Sequence, residues 1–149
     1  IAPLVNQTGP LYVHPNGIVK RTHFHTMAMY ANNLEEYISE VKINGSKLTN
    51  GKDSVSVIDA IATVDKNGKN WAVSLVNRHP SDNLECKVIM GDELLNGIYK
   101  AKILTAKSTE TYNDIENPNR VTPKETKLKF KNGIAILPPH SLTIVHING

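Results

Sequence analysis

His79-Pro80-Ser81-Asp82 places the three residue types of a hydrolase triad in four consecutive positions. A working triad draws its nucleophile, base and orienting acid from distant segments, with the serine on a strained elbow. Four neighbours in a Pro-containing stretch read instead as a turn between strands. His23 and His25, in Thr22-His23-Phe24-His25, suggest a metal site. On a helix that spacing separates the two rings by about 200°, and no third ligand motif accompanies them. Both read as structural histidines. Asp53, Asp59, Asp65 and Asp92 are scattered, and Asp65 and Asp92 sit beside Asn or Gly, where aspartate favours turns. Gly91-Asp92-Glu93 lacks the glycine pattern of a phosphate loop. Cys86 is the single cysteine, so no intramolecular disulfide can form, and its alternating surroundings predict a buried, inert thiol. No catalytic residue, metal ligand or cofactor-binding residue is therefore assigned.

Trp71, Tyr99 and Tyr112 are the residues a sugar-binding face would use, since aromatic rings stack on the C–H surfaces of sugars. They are the candidate carbohydrate contacts. Against them, aromatic residues make up 5% of the chain, and Trp71 shares its strand face with Val73 and Leu75, which favours core packing.

The elements that must carry these residues are mostly strands. Gly9-Pro10 and His14-Pro15-Asn16-Gly17 mark loops and turns. Phe24, Met27, Ala28 and Ala31 recur at helical spacing and predict a short helix over 22–33, too short to be stable without docking on something. From Glu36 onward the period changes to two. Strands are expected over 37–48 (broken at Asn44-Gly45), 55–64, 70–77, 84–90, 98–105, 127–131, 134–137 and 142–147. Asp65-Lys66-Asn67-Gly68-Lys69 and Asn132-Gly133 each predict a hairpin. Short strands about every 10 residues argue for an antiparallel sandwich.

A chain of 149 residues, 40% hydrophobic and 21% charged, has the composition of one globular domain. No apolar run reaches the roughly 20 residues that a membrane-crossing helix needs, and no membrane partner is expected. The net charge is +3, yet the lysines lie at alternate positions (Lys100/Lys102, Lys127/Lys129/Lys131), as on a solvated strand face. Without interleaved aromatics they make no nucleic-acid platform. The opening Ile-Ala-Pro-Leu-Val-Asn does not have the pattern of a signal peptide. It lacks Met, and the chain is expected to be a piece of a longer protein.

Three stretches carry a resemblance. Ile1-Ala2-Pro3-Leu4, followed by Arg21-Thr22-His23-Phe24-His25 and Met29-Tyr30, is similar to the last strand, loop and helix of a catalytic (β/α)8 barrel. Trp71-Ala72-Val73-Ser74-Leu75-Val76-Asn77-Arg78 resembles a sandwich strand ending in Asn-Arg. Asn117-Pro118-Asn119-Arg120-Val121-Thr122-Pro123 with Leu137-Pro138-Pro139-His140-Ser141 matches an Asn-Pro-x-x-Val-x-Pro segment followed by Leu-Pro-Pro-x-Ser. In order and over nearly the whole chain, these motifs resemble glycoside hydrolase family 51 α-L-arabinofuranosidases.

The resemblance implies an all-β, jelly-roll-like antiparallel sandwich over 34–149. It also implies that residues 1–33 are the end of a catalytic barrel that the chain lacks. The parent would remove α-L-arabinofuranosyl groups with retention, which needs two carboxylates about 5 Å apart. The family's acid/base lies in an Asn-Glu-Pro segment, which Glu116-Asn117-Pro118 does not match in order. The isolated chain is thus expected to be inactive, with the missing barrel as its partner. Arabinose-containing polysaccharide is a further expected partner if the sandwich acts as a carbohydrate-binding module. An exposed patch at Phe24, Met27 and Met29 is expected to meet the barrel or to drive self-association.

Overall fold

Along residues 71–76, small and apolar side chains face both ways, so a strand there must be covered on each side. The computed structural model, which describes residues 4–148, shows such a strand near the middle of the molecule.

The chain opens with a hairpin, β1 (Leu11–His14) and β2 (Gly17–Lys20), then helix α1 (Thr22–Asn33). There follow β3 (Tyr37–Ser39), β4 (Lys47–Asn50), β5 (Asp53–Ser56), β6 (Ile58–Val64), β7 (Asn70–Asn77) and β8 (Leu84–Lys87). The rest are β9 (Ile89–Met90), β10 (Glu93–Leu94), β11 (Gly97–Leu104), β12 (Lys124–Phe130), β13 (Ile134–Leu137) and β14 (Ser141–Asn148). Six strands form one antiparallel sheet in the order β12-β11-β14-β7-β6-β3, while β8 pairs with β13, β9 with β10, and β4 with β5. This is the antiparallel sandwich that the alternating pattern predicts.

Each face of the large sheet has its own core. Val73, Leu75, Ala101, Phe130, Val145 and Ile147 point toward β8 and β13, where Cys86, Ala135 and Leu137 meet them. Ala72, Leu104, Leu142 and Ile144 point the other way and are covered by Met29 of α1 and Val121. The helix predicted over 22–33 therefore docks on this chain's own sheet, and Met29 is buried rather than exposed with Met27. Two side chains tie this cover down. Asn113 donates to Lys20 O and Val121 O (2.8 Å each) and accepts from Val121 N–H. The Tyr30 hydroxyl meets Ser74 Oγ at 3.1 Å.

Two turns differ from the sequence reading. Asn50-Gly51, with Gly51 at φ +61°, closes a β4–β5 hairpin inside what reads as separate longer runs. At Asn132-Gly133 the strands on either side do not form a hairpin. β12 stays in the large sheet and β13 crosses to β8, with the single bridge Lys131–Ile134 between them. Phe130 and Ala135 share a core from opposite sheets, so the turn is a corner. Gly133 is needed there: its φ is +80°, and a Cβ would lie 3.0 Å from Val88 O. The Asp65 turn is the predicted β6–β7 hairpin. Asp65 accepts from Lys69 N–H (2.8 Å) and Asn70 Nδ2 (2.7 Å), and the backbone hydrogen bonds hold its carboxyl below the usual range.

Candidate functional site

Strand β8 is hydrogen-bonded to β13 on one edge, and its other edge has no strand beside it among the described residues. Beside it lies a cavity of about 790 Å³, bounded by the inner face of β6 and β7, by residues 84–91 and by the segment 39–46. Its floor is apolar, with Ala60, Trp71, Val73, Leu75, Cys86 and Met90. The rim is polar, including Glu40, Lys42, Glu85 and Lys87. Burial raises the Cys86 thiol above its usual value, so the thiolate, its nucleophilic form, is disfavoured. A second cavity of about 440 Å³ lies on the other face, between Thr26 and Tyr30 of α1, Leu142, and the loop that follows β11.

The three candidate sugar contacts are not gathered on one surface. Trp71 and Tyr99 pack on the same inner core, flanking Ile147 on adjacent strands. Trp71 is half-buried and lines the larger cavity. Tyr99 stands edge-on to Phe130 and donates to Asn96 O (2.7 Å). Tyr112 is 63% exposed, in the loop whose Asn113 and Val121 cover the opposite face.

Of the other candidates, His79, Ser81, Asp82 and Asp59 find structural partners, whereas Nε2 of His23 and of His25 is buried without one. His79 Nδ1 accepts from Asp82 N–H (2.9 Å), and Ser81 Oγ donates to Asp82 (2.9 Å) rather than to a histidine. The cluster is a hydrogen-bonded turn in which Ser81 meets the imidazole through its backbone N–H (3.4 Å) and not through its hydroxyl. Asp59 is bound by Arg78 and Asp114 by Arg120. Backbone donation from Asn117 leads the causes that lower the Asp114 carboxyl. Among the described residues, no group of three His, Cys, Asp or Glu side chains could hold a metal ion. Nor, among the described residues, is any helix long and apolar enough to cross a membrane.

His25 faces inward on α1, buried, with Nε2 unpartnered. Burial lowers its affinity for a proton, and the charge of Lys20 lowers it further. The unfolded chain thus binds this proton more readily than the folded one. The stability from a neutral His25 is complete above the unfolded value near 6.5 and falls as pH drops below it. Urea titrations between pH 7.5 and 5 should show this acid loss in the native chain and a flatter profile in His25→Leu. Equal slopes would overturn it.

An apolar face remains. In the first hairpin Val13 and Ile18 are cross-strand partners, so they share a face, and they are 45% and 62% exposed. Leu4 and Met27 add exposed apolar surface in the same N-terminal part of the chain. Sequence periodicity missed the hairpin because Pro15-Asn16-Gly17 reads as a loop and the strands flanking it span four residues each.

Comparison with known proteins fits this arrangement. The family model described as the α-L-arabinofuranosidase C-terminal domain matches residues 1–141. No curated protein matches. Among solved structures, an α-L-arabinofuranosidase of Thermotoga maritima, in an arabinose complex, superposes with a TM-score of 0.83 at 18% identity. The match covers 99% of this chain and 33% of that one. The thermostable family 51 enzyme of Thermotoga petrophila gives 0.82 at 20% identity, covering 99% and 33%. The family 51 enzyme of Bifidobacterium longum gives 0.81 at 24%, covering 99% and 29%. At these identities the likeness is one of fold, and the chain spans about a third of each structure's length. With the family model matched over nearly its whole length, the chain belongs to the α-L-arabinofuranosidase C-terminal domain family.

Proposed function

We propose that this sandwich is the non-catalytic C-terminal part of a longer α-L-arabinofuranosidase and acts by completing and supporting its catalytic barrel. Residues 1–33 are then the end of the barrel, whose terminal strand, expected at 1–4, lies mostly outside the described residues, and 34–149 the sandwich. The longer protein would hydrolyse terminal α-L-arabinofuranosyl groups of arabinose-containing polysaccharides with retention, using carboxylates from outside this chain. One observation carries the reading. The hairpin spends its buried side on Val19 and holds Val13 and Ile18 outward, a pairing suited to a surface that another part of the protein covers.

The test is hydrolysis of an aryl α-L-arabinofuranoside by two purified proteins, this chain alone and the longer product of its gene. The reading expects no turnover by the first and turnover by the second. Turnover by this chain alone would overturn it, as would an inactive but folded longer product. In the longer protein, Val13→Asp with Ile18→Asp should lower thermal stability by several degrees. In this chain alone the same pair should weaken any self-association seen in sedimentation.

A second reading, a carbohydrate-binding module for arabinoxylan or arabinan, is favoured by the half-buried Trp71 lining a cavity with a polar rim. Calorimetric titration with arabinoxylan oligosaccharides separates the two. Saturable heat moves the binding module ahead, and no heat at millimolar ligand removes it.

A further inference from the structure

In the motif Leu-Pro-Pro-His-Ser, His140 fills the position that the resemblance leaves open, and its ring makes two unusual contacts. Nδ1 lies 2.9 Å from Pro80 O and Nε2 lies 3.0 Å from Ala106 O. Both partners are backbone carbonyls, which only accept. A neutral imidazole has one N–H and satisfies one of them. Only the doubly protonated ring satisfies both. The backbone is committed as well: His140 N–H donates to His79 O (2.8 Å), and the residue sits at φ +37°, which a side chain rarely adopts without support.

We propose that His140 is a proton-dependent clip, closed by the imidazolium, that joins the 77–82 turn, the loop after β11 and the start of β14. Two carbonyls that belong to different segments are drawn to one charged ring, and hydrogen bonds to a charged group are the stronger kind. Thr105 Oγ1, donating to Pro139 O at 3.2 Å, shows the loop after β11 already in contact with the residues just before β14. Ala106 and His140 both line the smaller cavity, so opening the clip loosens its rim.

The titratable and charged groups on the packed elements are Arg78, His79 and Asp82 in the turn, Lys107 and Glu110 in the loop, and Tyr30 across the cavity. None of them hydrogen-bonds the His140 ring. Arg78 is bound to Asp59 and Tyr30 to Ser74. His79 holds the same turn with the opposite requirement, since its Nδ1 accepts from backbone N–H and must be bare.

The experiment compares urea unfolding of the native chain and His140→Asn at pH 5.5 and 8.5. Asn tolerates the left-handed backbone and does not titrate. The native chain's advantage, read as a ratio of folding constants, should be about tenfold larger at pH 5.5. The same ratio at both pH values overturns the proposal. If the variant does not fold, an NMR titration of the native chain decides. The amides of Ser81 and Lys107 should shift with the midpoint of the His140 ring. A ring that titrates without moving them overturns the clip.

Discussion

Removing residues 1–33 is expected to leave a 34–149 fragment that no longer folds cooperatively, although the family resemblance draws its domain boundary there. The reason lies on the outer face of the large sheet. Ala72, Leu104, Leu142 and Ile144 are almost fully buried, and Met29 and Tyr30 of α1 contribute directly to that cover. Loss of α1 and β2 would also take Lys20 O, one of its two acceptors, from the buried Asn113 amide, and would free the Ser74 hydroxyl. Burying a large apolar side chain contributes about 1.5–3 kcal/mol. Met29, Val19 and the sheet residues under them thus represent a loss on the order of the entire stability of a small domain, about 5–15 kcal/mol. Circular dichroism against temperature, with sedimentation to detect aggregation, reads the outcome. A soluble fragment melting within a few degrees of the full chain would show that α1 is an appendage. By contrast, Val13→Ser and Ile18→Ser touch the exposed face alone. In the isolated chain each should change stability by less than about 0.5 kcal/mol.

This contrast marks what could be read from the residues. The period-two runs and the Asp65–Lys69 turn predict the sandwich, because alternation and left-handed turn residues are local signals. The helix over 22–33 was legible for the same reason, yet its docking was not. Phe24, Met27 and Met29 look alike in sequence, and only tertiary contact separates buried Met29 from exposed Met27. The turn at Asn132-Gly133 shows the same limit from the other side. A turn signal specifies a reversal of the backbone. Whether the next strand returns to its neighbour or crosses to the facing sheet depends on where Phe130 and Ala135 find cover. At the candidate sites, residue type singled out Trp71, whereas the cavity beside it, His140 and Asn113 carried no local signal. Their meaning lies in carbonyls 34 and 60 residues away from His140, and 93 away from Asn113.

Asn77→Ala is expected to cost about 3 kcal/mol or more. Asn77 ends β7 and is 1% exposed. Its Nδ2 faces three carbonyls, Asp82 O at 3.0 Å, Leu137 O at 3.2 Å and Pro138 O at 2.8 Å, while Oδ1 accepts from His79 N–H at 2.9 Å. One amide thus satisfies the 77–82 turn and the end of β13, which belong to different sheets. Each buried group left unpaired costs about 1–3 kcal/mol, and alanine leaves both sides of this junction unpaired at once. The neighbouring Arg78 holds the same corner by donating to Ser56 O and to Asp59. The Asn-Arg pair that ends this strand therefore serves the fold, which accounts for it without any chemistry. Asn77→Asp provides the sharper test. It keeps the acceptor for His79 N–H but turns a buried carboxylate toward three carbonyl oxygens, so its loss at pH 7 should exceed that of alanine. Protonation restores one donor, and the aspartate variant should recover part of its stability relative to Asn77→Ala as pH falls to 5. Urea unfolding of both variants at the two pH values decides. A loss below about 1 kcal/mol for alanine, or an aspartate variant no worse than alanine at pH 7, would mean that water replaces the amide and that the two sheets are joined by packing alone.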